Sequence, residues 1–433
     1  MTTAQERQAL LNWSKTNNID SIGGKVVDNS YNLDLLILPN ELRLLLEIMK
    51  IENGNSIGEI KSELTKDINW EYFLDLARHH RVHPLIYSKL NSIDESLVPS
   101  HIIQILYQEY KQNTFQMLHL SGEMEQVSKL FTENQIRLLF LKGPVIAADI
   151  YGDISLRTSK DLDILISKTD LKKAEELLLN YGYEREEASV TLGEWKWRKH
   201  HIAYFHPEKR IQIELHWRLH QPPMRESSFN ELWERKRRSK LTSYPVYFLG
   251  KEDLFLFLID HGNRHGWFRL RWLADIDQII RKSIISEKNN ELSKKYHQLG
   301  GKALILAAHL LNTPINEDMQ LFILGKRSRK LVELALYYFV EMGNSYNNHF
   351  QDVLEINDKL HLFSVKSSLP KTFPIHFYKL SMMSNVNRYI YVIRLFNPSN
   401  MDMQFLRLPK PLYFLYFPLR PFLWIWRKTR KPV

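Results

Sequence analysis

No cysteine occurs among the 433 residues, which excludes a disulfide scaffold, a thiol nucleophile and any thiolate zinc or iron-sulfur site. Any bound metal must sit on Asp, Glu or His. Also missing is a run of about 18 uncharged apolar residues such as a membrane-spanning helix needs. The nearest approach, Pro411 to Leu419, is interrupted by Arg420. The stretch Met1 to Asp20 lacks a basic start followed by an apolar core, so no signal peptide is expected and the expected location is cytoplasmic. Negative charge is in modest deficit: 49 Asp and Glu against 59 Lys and Arg leave a net +10, which favours partners that carry phosphate over cationic ones. What is present is ordinary for a folded protein. Hydrophobic residues make up 44% and charged residues 25%, enough apolar surface to offset chain entropy. The length predicts about two to four domains.

Along the chain, residues 1–34 are polar and Asn-rich and read as a frayed arm. Residues 35–134 read as a helical N-terminal segment, with apolar residues at helical spacing in Trp70, Phe73, Leu74 and Ala77 and a second long helix from Ile102 to Glu133. Within it, His79, His80 and His83 have a spacing that could supply metal ligands. Arg78 and Arg81 lie between them and Pro84 follows, so the expected reading is a solvated helix end that Pro84 terminates.

The texture changes in residues 135–220, which read as a small α/β domain. Arg137 to Leu141 is a short apolar strand stopped by Lys142-Gly143-Pro144, with Pro144 in the first turn of a helix from Val145 to Tyr151. Asp161 to Ile166 is a second strand, followed by a helix from Leu171 to Tyr181. Trp195 to Phe205 and Arg210 to Trp217 are two further strands joined by a turn at His206 to Lys209. Residues 221–345 read as helical again, with apolar periodicity in Leu254 to Ile259, Leu270 to Ile280, Ala303 to Leu311 and Leu331 to Phe339. A linker is expected at Glu341 to Gln351, and residues 346–433 form a basic, aromatic extension.

Side chains alternate along a strand, so Asp161 and Asp163 share one face while Leu162 and Ile164 enter the core on the other. Two adjacent carboxylates repel, and a divalent cation relieves the repulsion. Hard oxygen ligands at this spacing suit magnesium or manganese chelated further by substrate phosphates. By the same alternation Glu214 lies on the polar face of its strand, as a third carboxylate that shares a metal or removes a proton from an attacking hydroxyl. Gly143 ends a strand and opens a helix, where backbone N–H groups and the helix dipole can hold a phosphate, and Lys142 and Arg157 add charge. A phosphate seat, an Asp-x-Asp strand and a later acidic strand, in that order, describe metal-assisted nucleotidyl transfer. The same Asp-x-Asp also fits a metal-dependent glycosyltransferase that uses a sugar nucleotide.

The stretches Leu141-Lys-Gly-Pro144, Arg157 to Leu165 and Ile213-Glu-Leu-His-Trp217 resemble the uncharacterised nucleotidyltransferase family of the DNA polymerase β-like superfamily. So do Trp70, Leu76 to Tyr87, His261 and Arg269 to Asp275, and the resemblance covers residues 35–340. It implies an α+β fold, with a small mixed-sheet catalytic domain flanked by helical N-terminal and C-terminal domains. It also implies Asp161, Asp163 and Glu214 as catalytic metal ligands, Gly143 as the phosphate-loop glycine and His261 as a nucleotide contact. Magnesium or manganese and a nucleoside triphosphate are the implied cofactor and donor. Pro144 stands where the superfamily usually has Ser or Gly, which shifts phosphate binding toward Lys142. Members accompany the maturation of ribosomally made peptides such as lasso peptides, so a peptide acceptor is implied. A binding or scaffold protein on the same fold is the non-catalytic alternative, against which the intact acidic set counts.

Glu234 to Arg238 is a charge run without interleaved aromatics, so there is no strong nucleic-acid signal. From Gln404 to Val433 no acidic residue occurs, whereas seven basic residues are interleaved with eight Phe, Tyr and Trp. Prolines 409, 411, 418 and 421 should prevent a continuous helix there. This composition suits a peripheral contact with an anionic membrane.

Overall fold

The computed structural model describes residues 35, 38–51, 67–92, 98–186, 200–220, 226–282, 290–316, 319, 332, 389 and 400–429. The expected N-terminal arm, the linker at Glu341 to Gln351 and nearly all of the helix at Leu331 to Phe339 lie outside these residues. The chain divides into two compact units. One collects residues 1–117, 147–158 and 251–368, the other 118–146, 159–250 and 369–433.

The first unit is helical among the described residues. Helix α1 (Asn40–Lys50) buries Leu42, Leu44, Leu45, Leu46 and Ile48, and α2 (Trp70–His79) buries Phe73, Leu74, Leu76 and Ala77. Asn69 caps α2 by accepting from the Tyr72 amide at 3.1 Å. Helix α3 spans His83–Leu90, and the long α4 spans Ser100–Glu133, with Met117 and Leu118 on either side of the division. Pro84 opens α3 rather than closing α2, because a proline lacks only an N–H that the first turn does not use. The break between the two helices falls at Arg81, whose φ is 56°.

Residues 251–316 contribute α7 (Lys251–Arg264), α8 (Leu270–Arg281) and α9 (Asn290–Leu311) to the same unit, with α5 (Leu171–Asn180) and α6 (Phe229–Glu234) preceding them in the chain. Gly262 is needed where Trp267 packs against α7: a Cβ there would stand 2.5 Å from the indole. The fully buried Trp267 donates its Nε1–H to Asn263 Oδ1 at 2.8 Å.

The second unit is built on a seven-stranded mixed sheet of order β3-β4-β5-β2-β1-β7-β6. Its strands are β1 (Leu138–Phe140), β2 (Asp161–Ile166), β3 (Glu184–Arg185), β4 (His201–His206), β5 (Ile211–His216), β6 (Arg237–Arg238) and β7 (Tyr247–Phe248). The central β2 and β5 run parallel, β1 lies antiparallel to β2, and β4 and β5 form a hairpin. The hairpin turn ends on Arg210 at φ 54°. The residues after 221 were expected to be helical throughout, yet they supply β6 and β7. These strands are two residues each, too short to show a period of two.

This fold is α+β, as the sequence implies. Among the described residues no helix is long and apolar enough to cross a membrane. In the C-terminal stretch α10 (Asn400–Phe405) and a 3-10 turn (Lys410–Leu415) precede α11 (Tyr416–Thr429), which runs through Pro421. The expected interruption is therefore confined to the segment before Tyr416.

Candidate active site

The Cα register of the parallel pair sets Asp161 opposite Gln212, Asp163 opposite Glu214 and Leu165 opposite His216. Leu162, Ile164, Ile213 and Leu215 are fully buried on the other face, so the apolar alternation fixes which way the acids point. On the far side of β5 the hairpin sets Ala203 opposite Glu214 and His201 opposite His216. One sheet face thus carries Asp161, Asp163, Glu214, His216 and His201.

Asp163 is wholly buried, and Lys142 Nζ reaches its Oδ1 at 3.0 Å. His216 Nε2 lies 3.2 Å from the same oxygen and 3.4 Å from Glu214 Oε2, and His201 Nε2 lies 3.8 Å from that Glu214 oxygen. Burial alone would raise the Asp163 pKa, but Lys142 and His216 outweigh it and hold the carboxyl well below its usual range. Glu214 follows the same pattern: burial pushes up, the His216 hydrogen bond pulls down, and the balance is a lowered pKa. For His216 burial favours the neutral ring, yet hydrogen bonds to Asp163 and Glu214 raise its pKa overall. Burial and the neighbouring His216 bring His201 down to about 4, so that ring is neutral at neutral pH.

Asp163 Oδ2 is buried and has no hydrogen-bond partner among the described residues. An orphaned carboxylate oxygen is a costly arrangement unless something cationic or protonated completes it. Ligand atoms of Asp163, Glu214 and His216 lie within 4.8 Å of one another, so these side chains could hold a metal ion. The donor set fits a divalent cation, and its one nitrogen makes it less exclusively a magnesium site than three carboxylates would be. Asp161 is half-buried at the start of β2, on the same face.

The loop after β1 is anchored by the Leu141 amide, which donates to Asp163 O at 2.9 Å. Gly143 has φ 89°, and the nearest atom to a Cβ there would be Leu162 Cδ2 at 3.6 Å. The backbone conformation, not crowding, is what requires glycine. Pro144 then begins a single α turn, Pro144–Ile146.

Arg157 and His261 belong to the helical unit, where each has partners of its own. Arg157 is 2% exposed and grips Asp275 with both arms of its fork, Nε to Oδ1 at 2.9 Å and Nη2 to Oδ2 at 3.0 Å. The Tyr151 hydroxyl donates to the same Asp275 Oδ1 at 3.0 Å, and Arg271 Nη1 donates to Thr158 O at 2.6 Å. The His261 ring lies 4.7 Å from His265 and 5.6 Å from Trp272, centroid to centroid. His80 is fully buried, and its Nδ1 accepts from the Leu270 amide at 3.3 Å. The reading of His79 to His83 as a solvated helix end is therefore wrong: tertiary packing covers that turn.

Sequence reasoning gave no role to His200, His201 or His216. A signal for His216 was present, since Gln212, Glu214 and His216 share one face by simple alternation.

Residues 66–314 match the family described as an uncharacterised nucleotidyltransferase. No curated protein matches the chain. Among solved structures, an antigenic nucleotidyltransferase-like protein from Paracoccidioides brasiliensis is similar at 14% identity and a TM-score of 0.30, over 46% of this chain and 94% of that one.

Proposed function

From the premise that the chain belongs to the uncharacterised nucleotidyltransferase family, we propose that its sheet unit moves a nucleoside monophosphate from a nucleoside triphosphate to an acceptor hydroxyl or phosphate. The observation that carries this reading is the facing of Asp163 and Glu214 across β2 and β5, with one buried Asp163 oxygen left unpartnered among the described residues. Asp161, Asp163 and Glu214, with His216 beside them, would hold magnesium or manganese. When bound, that ion neutralises charge developing on the transferred phosphate.

The remaining work falls to side chains. Glu214, kept ionised by His216, takes the proton of the acceptor hydroxyl as the oxygen bonds to the α-phosphorus. The bond from the α-phosphorus to the bridging oxygen breaks, and pyrophosphate leaves. Lys142 and the backbone at Gly143 orient the phosphates of the donor, and Lys142 exchanges its hold on Asp163 for the incoming anion. His261 lies half-buried among aromatic rings in the helical unit, and Arg157 supports that unit through Asp275. The acceptor is a ribosomally made peptide, which rests on the sequence resemblance.

The test is to incubate the full chain with each nucleoside triphosphate or sugar nucleotide, magnesium or manganese, and candidate peptides, and to weigh the products. A gain of one nucleoside monophosphate is expected. A gain of one hexose would assign a glycosyltransferase instead, and retained nucleotide binding without any gain would assign a scaffold.

The C-terminal stretch favours a second property, contact with an anionic lipid surface. Phe414 is 62% exposed and Phe422 69%, with Phe417, Ile425 and Trp426 also exposed. Basic residues accompany them in the sequence, Arg407, Lys410, Arg427 and Lys428, and Arg420 is paired with the buried Asp402 at 2.6 Å. Full-length chain should float with anionic liposomes at low salt and less at high salt, and Phe414→Ser with Phe422→Ser should abolish flotation. Equal flotation of the two proteins would remove the membrane from this reading.

A further inference from the structure

His200 and His201 are neighbours in sequence, and within a strand their side chains would point to opposite faces. His200 precedes the first residue of β4, however, and is free of that constraint. Its carbonyl accepts from the Trp217 amide at 3.0 Å, which pins the backbone at the open end of the hairpin. The two imidazoles consequently come together, 4.5 Å between ring centroids, with His201 Nδ1 3.3 Å from His200 Nε2. His216, opposite His201 in the hairpin register, completes a cluster, its ring 4.8 Å from His201 and 5.4 Å from His200.

We propose that His200, His201 and His216 form a binding site for a zinc-class divalent cation. One ligand nitrogen from each lies within 4.8 Å of the other two, the spacing that a single bound ion can span with small adjustments of the rings. His216 has a nitrogen to offer: Nε2 faces Asp163 and Glu214, whereas Nδ1 is buried and has no partner among the described residues. A buried, unsatisfied ring nitrogen is unfavourable, and coordination satisfies it. Access exists from the solvent side, because the His201 side chain is 33% exposed, while His200 and His216 close the floor.

The donor type decides which ion enters. Three imidazoles favour zinc, cobalt and nickel over magnesium, which prefers oxygen ligands and gives up its water reluctantly. Three histidines leave a fourth position open, and Glu214 Oε2, 3.8 Å from His201 Nε2, is the carboxylate beside it. The site therefore differs in chemistry from the carboxylate set of Asp161, Asp163 and Glu214. Zinc binding here does not require that the chain transfer a nucleotide.

Full-length chain, stripped of metal, should be titrated with zinc in the presence of millimolar magnesium and its metal content measured after dialysis. One bound zinc per chain is expected, and cobalt in its place should give the visible absorption of a nitrogen-rich, low-coordinate ion. His200→Gln and His201→Gln should each weaken zinc binding by at least about tenfold and bleach the cobalt spectrum. Asp161→Asn should leave both unchanged. Circular dichroism identifies any variant that fails to fold, and the cobalt spectrum of the wild-type chain stands without the variants. Displacement of zinc by millimolar magnesium, or equal zinc affinity in wild type and a folded His200→Gln, His201→Gln double variant, would overturn the proposal. Transfer activity with magnesium in zinc-free chain is a separate readout, so loss of one reading leaves the other measurable.

Discussion

His216 of the sheet unit and His79, His80 and His83 of the helical unit face opposite surroundings. In the sheet unit His216 lies against Asp163 and Glu214, and its pKa rises although the ring is buried. In the helical unit burial first lowers His79, His80 and His83, and nearby positive charge adds to it: Arg269 and Arg81 at His79, the His79 ring and then Arg269 at His80, and Arg78 at His83. The protonated form of the same side chain is thus favoured in one place and disfavoured in the other. Burial acts alike in both, so the difference comes from the sign of the neighbours. In the sheet unit carboxylates face one another beside His216, whereas in the helical unit Arg157 and Arg271 gather about the buried Asp275.

The sharpest way to break this contrast is Asp163→Asn. The amide is nearly isosteric but cannot balance Lys142 or a metal ion, and loss of several kcal/mol of transition-state stabilisation predicts a fall in turnover of about a thousandfold. Product quantification by mass measures it, with circular dichroism to check the fold. Near-wild-type turnover would end the metal assignment. In the helical unit the corresponding change is Arg157→Ala, which leaves Asp275 buried without its bidentate partner. Breaking such a pair costs about 3–5 kcal/mol, read as a lowered urea midpoint. A shift near zero would mean that the fork contributes nothing net.

Acidity acts with opposite sign at His83 and His216. His83 has a pKa of about 4 against an ordinary 6.5, so the unfolded chain binds the proton more readily between those values. Stability is therefore lost as pH falls through that window, by up to about 3 kcal/mol at roughly 1.4 kcal/mol per pH unit. His83→Gln should flatten this loss in urea titrations at a series of pH values, and an unchanged slope would show that the ring is not held neutral. His216 acts the other way: its contribution is present below the unfolded pKa and disappears as pH rises through the raised folded value. The smallest effect is expected at Gly143→Ala. The added methyl finds space, with no atom nearer than 3.6 Å, so only the φ of 89° is penalised, by about 1–2 kcal/mol. Thermal unfolding measures it, and a larger loss would mean that the neighbours of the loop cannot accept the methyl.

Much of the sheet unit could be read in advance, because alternation is a local property. The strand from Asp161 to Ile166 has the bounds that its sequence predicts, and Leu162, Ile164, Ile213 and Leu215 turn inward as expected. What alternation cannot supply is register between strands. That Asp163 meets Glu214 and His216, with His216 53 residues later in the chain, follows from which strand lies beside which. The partner of Arg157 is equally remote, 118 residues away at Asp275. His80 illustrates the converse failure: flanked by polar residues it reads as solvated, yet it is buried and its ring accepts from the Leu270 amide at the start of α8.

Between Ala147 and Tyr151 the helix that Pro144 begins is wound as a π-helix, so it holds more residues in its turn than an α-helix would. Such a turn is the trace of one inserted residue, and it tells how this stretch would respond to change in length. Deleting Ala148 would let the segment close into ordinary α geometry with the residues beyond it kept near their present register, because the wide turn already absorbs the extra residue. The Tyr151 hydroxyl would then stay within reach of Asp275, which it now meets at 3.0 Å, whereas one further inserted residue would swing it about 100° around the helix axis and off its acceptor. This stretch is thus expected to tolerate the loss of one residue at 148 better than the gain of one.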